Sequence, residues 1–118
     1  MHLAVYQNDR IVAVSTVCRE ALSGATSDTQ WRLRGVAVES GLRGHGLGKL
    51  LVNMCLDHVQ KHGGQLAWCT ARESARTFYE SLEFVASRPP FTLPSRGDAR
   101  FYEMHHVLPG GHGARATP

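Results

Sequence analysis

Polar and apolar residues alternate along the first part of the chain in the pattern of β-strands. Residues 3–6 predict a first strand, and the β-branched residues within 10–18 predict the strand that returns beside it. Asn8 and Asp9 stand between the two and predict a tight hairpin turn. The chain therefore begins with a predicted antiparallel pair.

A polar stretch over residues 20–30 predicts an exposed loop, after which residues 31–38 predict a third strand. The apolar spacing then changes to three and four over residues 46–62, which indicates an amphipathic helix. Gly63 and Gly64 follow it and predict its C-terminal end. The predicted apolar face consists of Leu47, Leu50, Leu51, Met54 and Cys55.

The second half of the chain predicts shorter elements. They are a strand at 65–70, a helix at 71–81, two limbs of a bent strand at 84–87 and 90–93, and a last strand at 100–108. Residues 109–118 are rich in glycine and proline and predict a flexible tail. A strand–helix–strand crossover implies parallel pairing and the hairpins imply antiparallel pairing. The sequence thus predicts one α/β domain over residues 1–108, with helices packed on a mixed, largely antiparallel sheet.

Composition restricts the classes of function. The 118 residues carry a net charge of +3, and the sequence pI is near 9.0, which suits a polyanionic small ligand or weak nucleic-acid binding. The basic residues form no run. No apolar stretch approaches the ~20 residues of a membrane span, and residues 1–3 lack a signal-peptide pattern, so we expect a cytoplasmic protein without membrane contact. The three cysteines show no C-x-x-C and favour reduced thiols.

A glycine-rich turn between the third strand and the helix predicts a site for an anion. It contains Gly44, Gly46 and Gly48, which let the backbone turn tightly and expose its N–H groups. The start of the helix adds a partial positive charge. Arg43 and Lys49 add full charges. A phosphate-bearing ligand is the expected occupant, and a turn that serves only packing is the alternative.

Two common phosphate motifs fit this turn poorly. In a P-loop the first glycine would fall on Arg43, and Leu50 would stand where serine or threonine binds the metal ion. In a dinucleotide-binding fingerprint, Lys49 would stand where the third small residue belongs. A third pattern fits: residues 43–48 resemble the Q/R-x-x-G-x-G/A signature of the GNAT superfamily, the acyl-CoA-dependent N-acyltransferases.

Two further stretches carry the same resemblance. Residues 75–84 are similar to the family pattern A-x-x-F-Y-E-x-L-G-F, and residues 68–72 are similar to a W-C-N-A-R strand end. The resemblance covers about residues 3–108. It implies a GNAT-like fold in which the third strand splays from a parallel neighbour, acetyl-CoA as co-substrate with no metal, and an amine acceptor. It also implies cofactor contacts from Val36, Ala37, Val38, Arg43, Gly44, His45, Gly46, Leu47, Gly48, Lys49 and Arg72.

The resemblance assigns Tyr79 as the general acid that protonates the departing thiolate. The alternative for Tyr79 is a packing role on the sheet. No general base is evident; Glu39 and Glu73 are the carboxylates nearest to the motifs. Cys55, His58 and His62 have helical spacing, but no second pair with ligand spacing supports a zinc site.

Three departures from the family pattern qualify these expectations. Glu83 stands at the glycine of L-G-F, which predicts a strained turn, and Arg72 stands where many members have an asparagine. The sequence also starts where the family already has its second strand, without the opening strand and two helices. An open sheet edge and an open acceptor side would follow, and we expect a homodimer bordering the cleft, or the loop over residues 20–30, to cover them.

The expected function is transfer of an acetyl group from acetyl-CoA to a primary amine of a small molecule or peptide. A catalytically inactive acyl-CoA-binding module, or a partner subunit of a larger assembly, is the second reading. A basic nucleic-acid-binding domain is the third, and the scattered basic residues disfavour it.

Overall fold

Seven strands form one mixed sheet in this computed structural model, which describes residues 1–22 and 28–109. The strands are β1 (His2–Gln7), β2 (Arg10–Arg19), β3 (Gln30–Val38), β4 (Leu66–Arg72), β5 (Val85–Ala86), β6 (Phe91–Thr92) and β7 (Arg100–Val107). Their order is β1-β2-β3-β4-β7-β5, and β6 also pairs with β7. Only β3 and β4 run parallel among these pairs. The predicted fold class is confirmed.

Two α-helices connect the strands within the described chain. Helix α1 (Leu47–Lys61) links β3 to β4, and helix α2 (Arg76–Glu80) follows β4. Three short 3-10 turns, Ser40–Leu42, Glu73–Ala75 and Pro94–Arg96, complete the connections. No helix among the described residues is long and apolar enough to span a bilayer.

The first hairpin has the turn chemistry that its sequence predicts. Asn8 and Asp9 have φ angles of 52° and 64°, which is the left-handed pair that a two-residue type I′ turn requires. Asparagine and aspartate tolerate this conformation better than other non-glycine residues. The prediction of a tight turn is confirmed.

Helix α1 begins and ends at the predicted glycines. Gly46 is its N-cap, with φ 83°. At the other end, the N–H of Gly64 donates to the Val59 carbonyl at 2.8 Å and that of Gly63 donates to the Gln60 carbonyl at 3.2 Å, which together form a Schellman motif. Both ends therefore follow from local backbone chemistry.

The predicted apolar face of α1 is partly wrong. The buried residues are Leu51, Val52, Cys55, Leu56 and Val59. Leu50 and Met54 are 51% and 46% exposed. Both sets of residues have helical spacing, and the position of the sheet, which the local sequence does not contain, decides which set is buried.

The second predicted helix is much shorter than expected. Residues 71–81 were predicted as helix, but Ala71 and Arg72 pair with Tyr102 and Phe101 and extend strand β4. Pairing with a neighbouring strand outweighs the local helical pattern here. The two predicted limbs around the Pro89–Pro90 bend form β5 and β6. Both limbs pair with β7, a pairing that the sequence pattern did not predict.

The core lies between the two helices and one face of the sheet. It includes the side chains of Val17, Leu33, Val52, Cys69, Phe84 and Met104. Of the predicted tail at residues 109–118, all but Pro109 lies outside the described residues, as does the middle of the predicted loop at 20–30.

Candidate active site

The parallel strands β3 and β4 separate after three paired residues. The pairs are Gln30 with Leu66, Trp31 with Ala67, and Arg32 with Trp68. Beyond them, β3 continues to Val38 beside β2, and β4 continues to Arg72 beside β7. A wedge-shaped gap therefore opens in the middle of the sheet, with unpaired strand edges on both sides.

A β-bulge reorients β3 at this gap. Thr16 lies opposite Arg34 and Val14 lies opposite Ala37, so Gly35 and Val36 together face one residue of β2. Gly35 has φ 62°, a conformation that glycine adopts without steric cost. Because the bulge adds one residue, Val36 turns towards the helices and packs against the core cluster.

The backbone of Val38 faces the gap. The N–H of the next residue, Glu39, donates to the Val12 carbonyl of β2 at 2.8 Å. Successive residues of a strand direct their backbone groups to opposite sides, so the groups of Val38 point away from β2. Its carbonyl accepts a hydrogen bond from Arg43 Nε at 3.2 Å, which connects the strand end to the glycine turn.

The glycine turn is open where a ligand would lie against it. Gly44 and Gly46 have φ angles of 84° and 83°, and a Cβ at either position would meet nothing within 4 Å. The first helical hydrogen bond runs from the Leu50 N–H to the Gly46 carbonyl at 3.0 Å. The N–H groups of the three residues between them are those that a helix leaves without an internal partner. The turn and the helix start thus offer backbone donors to an anion.

Gly48 serves a different purpose from its neighbours. A Cβ there would lie 3.2 Å from Phe78 Cζ and 3.8 Å from Val38 Cγ2. The absence of a side chain therefore lets α1, α2 and the end of β3 approach one another closely.

The gap and the glycine turn form one cleft of about 830 Å³. Ten of the eleven residues predicted to contact the cofactor line it: Val36, Ala37, Val38, Arg43, Gly44, Gly46, Leu47, Gly48, Lys49 and Arg72. His45 is exposed and is not among the lining residues. The volume is within the range that accommodates a ligand of drug size or larger.

Sequence reasoning missed four lining residues. They are Leu42, Ser74, Ala75 and Phe78. Phe78 and Ala75 belong to the second motif. Their position close to Tyr79 in that motif could have predicted that they line the cleft. Leu42 and Ser74 lie in 3-10 turns that no pattern predicted.

Tyr79 lies next to the cleft but in the core. Its side chain is 9% exposed, and its ring contacts Phe78 and Phe84 at centroid distances of 5.0 and 5.4 Å. Burial raises the pKa of the phenol, and the nearby Cys69 and Cys55 act in the same direction. The hydroxyl therefore stays protonated at physiological pH.

The two carboxylates considered as bases are held in ion pairs. Glu39 lies 3.0 Å from Arg10, and Glu73 lies 3.7 Å from Arg100. Both side chains are substantially exposed, so these pairs contribute little to stability.

The buried cysteines Cys55 and Cys69, and His58 and His62 at the end of α1, have packing roles in this structure. Burial raises the pKa of the Cys55 thiol, and it raises that of Cys69 to about 12, so both remain neutral. His58 and His62 stack at 4.1 Å, and His58 makes an edge contact with Trp31. Within the described part of the chain, no group of three or more acidic, cysteine or histidine side chains is placed to hold a metal ion.

The fold and the cleft define a class of protein: a mixed sheet that splays between two parallel strands, with a glycine turn and a helix start beside the gap. The family model for the acetyltransferase (GNAT) domain matches residues 1–104. The chain therefore belongs to the GNAT acetyltransferase domain family, and the resemblance found in the motifs is confirmed.

Individual relatives agree with the family. The chain is 26% identical over 97 residues to the uncharacterized N-acetyltransferase YitI of Bacillus subtilis, covering 82% of this chain and 65% of YitI. It thus spans somewhat less than two thirds of that relative's length.

Solved structures share the fold. An aminoglycoside 6'-N-acetyltransferase complexed with coenzyme A has a TM-score of 0.75 and 18% identity, covering 92% of this chain and 73% of that one. The ribosomal-protein-S18-alanine N-acetyltransferase of Escherichia coli has a TM-score of 0.69 and 21% identity, covering 92% and 68%.

Proposed function

We propose that this chain is an acyl-CoA-dependent N-acetyltransferase that transfers the acetyl group of acetyl-CoA to a primary amine of a small molecule or peptide. The observation that carries the proposal is the continuity of the cleft, which joins the backbone donors of the glycine turn to the unpaired edge of β3. An anion and an extended chain attached to it would fit these two parts in sequence. The structural neighbour that holds coenzyme A has the same fold.

Different groups of the chain would bind different parts of acetyl-CoA. The N–H groups at the start of α1, with Arg43 and Lys49, would bind the phosphates. The N–H of Val38 would donate to an amide carbonyl of the pantetheine arm, while the Val38 carbonyl accepts its hydrogen bond from Arg43. Arg72 lines the cleft from the facing strand.

Acetyl-CoA supplies an activated thioester. A backbone N–H of β3 would polarise the thioester carbonyl, and a donor of this kind typically contributes about 3 kcal/mol to the transition state. The neutral amine attacks the carbonyl carbon, the carbon–sulfur bond breaks, and the amine loses its extra proton to water. Tyr79 would donate its hydroxyl proton to the departing thiolate.

Burial affects how Tyr79 would act. Because its pKa is raised, the phenol is always protonated, but full transfer would leave a phenolate among apolar side chains. Among the described residues, its hydroxyl has no hydrogen-bond partner. Transfer of this proton would therefore begin from a strong hydrogen bond between the phenol and the developing thiolate.

Binding of acetyl-CoA tests the central proposal. We expect Gly46→Asp to nearly abolish the affinity measured by isothermal titration, because its carboxylate would face the bound phosphates. Gly63→Asp is the matched control: Gly63 has nearly the same φ, 81°, and equal space, but lies at the far end of α1. The control should bind normally.

Three results would argue against the proposal. If the wild-type chain did not bind acetyl-CoA, the proposed function would be wrong. If the two variants bound acetyl-CoA with equal affinity, the glycine turn would not be part of the binding site. Tight binding without turnover on any amine would instead favour a non-catalytic acyl-CoA-binding module.

A further inference from the structure

The sheet has a second face, which the two helices do not cover. Leu33 and Cys69 point into the core beneath the helices. Their neighbours along each strand point to the opposite face. We call this the open face; it carries Thr16, Arg32 and Arg34 from β2 and β3, and Trp68, Thr70 and Glu103 from β4 and β7.

One pair on the open face closes the narrow end of the gap. Arg32 and Trp68 are the last residues of the parallel ladder, and the guanidinium lies 4.7 Å above the indole ring. Glu20 forms an ion pair with Arg32 at 3.0 Å, and its carbonyl accepts a hydrogen bond from Trp68 Nε1 at 2.7 Å. The charge of Arg32 is thus already neutralised.

Beyond the Arg32–Trp68 pair, a row of four residues crosses the open face at the point where the gap opens. Thr16 is opposite Arg34 on one side, and Thr70 is opposite Glu103 on the other. Arg34 and Thr70 each lie two residues beyond the last parallel pair, so they face each other across the gap. Arg34 and Glu103 are then separated by about 10 Å or more at their Cα atoms, because two strand spacings lie between them.

Arg34 and Glu103 lie outside the cofactor cleft, which the cationic residues Arg43, Lys49 and Arg72 line. In residues 1–22 and 28–109, neither has an ion-pair partner. Glu103 is also half-buried. The nearby carboxylates of Glu20, Glu39, Glu73 and Glu80 are all paired with arginine.

The amine must approach the gap from the open face. On the helix face, the side chains of Val36, Phe78 and Tyr79 occupy the space beside the gap. On the open face, Ala37 and Thr70 are exposed. Ala37 and Arg72 also line the cleft, so the cleft reaches this side of the sheet.

We propose that Arg34 and Glu103 form the acceptor site, so that the acceptor is a zwitterionic amine of the amino-acid type. Glu103 receives the ammonium group, which loses one proton to water before the neutral amine attacks, and Arg34 binds a carboxylate a few bonds away on the same molecule. An arginine makes two parallel hydrogen bonds to a carboxylate, and such charge-assisted bonds are stronger than neutral ones. Thr70, between them, offers a hydroxyl to either group. This inference rests on the proposed acetyl transfer and specifies its second substrate.

Substrate selectivity tests the inference. Turnover with acetyl-CoA is measured on the twenty standard L-amino acids, on their C-terminal amides and on the matching decarboxylated amines. We expect the free acids to be preferred by roughly 10- to 100-fold in kcat/KM, the range of a hydrogen bond to a charged group. Arg34→Gln should abolish this preference through KM, and Arg34→Lys should retain part of it.

Matched variants separate this role from a general effect of charge. Arg88→Gln removes an exposed arginine that lies 4.3 Å above Phe91, outside the row across the gap, and should leave the preference unchanged. Glu103→Gln should raise KM for every amine while the affinity for acetyl-CoA stays constant. Because Glu103 and Arg34 do not line the cofactor cleft, both variants should bind acetyl-CoA like the wild type.

The experiments distinguish failure of the acceptor-site inference from failure of the proposed acetyl transfer. If the wild type binds acetyl-CoA and acetylates the amides and plain amines as well as the acids, the zwitterion site is wrong and acetyl transfer stands. If no amine in the panel reacts, binding of N-acetyl amino acids and their amides is measured on the chain saturated with coenzyme A. Equal affinity for the two, or no binding of either, overturns the inference, and failure to bind acetyl-CoA at all overturns the proposed function first.

Discussion

At the scale of single residues, Tyr79 combines a buried ring with a hydroxyl group that has no hydrogen-bond partner among the described residues. The Phe78 and Phe84 rings hold its side chain, and its raised pKa keeps the proton on the oxygen. Both features would suit a donor that must stay protonated until a negative charge develops beside it.

We expect Tyr79→Phe to lower kcat by roughly 10² to 10⁴ while the affinity for acetyl-CoA is retained, which is the range for removal of a general acid. Tyr102→Phe is the control, because it removes another largely buried phenol, one whose oxygen accepts a hydrogen bond from Arg76 at 3.1 Å. Steady-state kinetics on an accepted amine checks both. A wild-type kcat in Tyr79→Phe would leave this tyrosine with a packing role only.

Glu83 has the left-handed conformation that the motif suggested. Its φ is 67°, and the turn it forms connects α2 to the strand at Val85. A side chain in this region costs about 1 kcal/mol or more, which glycine does not incur. The sequence comparison with the L-G-F pattern therefore predicted a strained residue correctly.

We expect Glu83→Gly to raise the free energy of unfolding by about 1 kcal/mol, measured by urea denaturation. Glu83→Ala is the matched control, because it removes the same carboxylate but keeps a Cβ, and it should leave stability nearly unchanged. Equal effects of the two substitutions would show that the backbone conformation is not the source of strain.

At the scale of elements, the bulge in β3 determines which side chains face the helices. If residues 33–38 alternated regularly, with no bulge at Gly35, Val36 would point to the open face like Arg34. A Cβ at Gly35 would meet nothing within 4 Å, so the positive φ, and not crowding, favours glycine there.

We expect Gly35→Ala to lower the free energy of unfolding by about 1 to 2 kcal/mol, through the positive φ alone. Gly41→Ala is the control, since Gly41 also has open space but no positive φ, and its effect should be within about 0.5 kcal/mol. Chemical denaturation of the three proteins checks this. A Gly35→Ala variant as stable as the Gly41→Ala variant would mean that the bulge tolerates a side chain.

The sequence predicted most elements because their signals are local. The turn at Asn8 and Asp9, the glycines at both ends of α1 and the proline bend each depend on residues a few positions apart. The buried face of α1 and the length of β4 depend on partners far along the chain, and both predictions failed in part. The same distinction holds in part in the cleft: Leu42 and Ser74, which lie outside the motifs, were missed, but so were Ala75 and Phe78 of the second motif.

At the scale of the whole molecule, one edge of the sheet and the neighbouring side of α1 remain exposed. Strand β1 has no outer neighbour in the described chain. A groove of about 460 Å³ lies beside it, and its lining includes Met1, Leu3, Leu50 and Met54. A second copy of the chain, related by a two-fold axis, would cover both the strand edge and the apolar groove.

We therefore predict a homodimer at micromolar concentration, measured by sedimentation equilibrium. Met54→Lys should shift it towards monomer, because the charge would be buried in the interface. Val85→Lys places the same charge at an exposed apolar residue on the far edge of the sheet and should leave the dimer intact. A monomeric wild type that acetylates an amine would contradict the prediction and leave the loop at residues 20–30 as the cover of the site.

Because the ladder between β3 and β4 is short, hydrogen exchange of the backbone amides at the gap should report whether a ligand is bound there. Three pairs join two half-sheets that are otherwise separate, so the amide hydrogens on the gap side of Val38 and its facing strand lack the protection that a complete sheet provides. They should exchange with deuterated solvent quickly in the free protein and slowly once a guest molecule pairs with the strand edge. Exchange mass spectrometry would then measure, for each peptide, how binding of an acyl-CoA slows exchange at the gap. The measurement does not require that the acceptor be identified first.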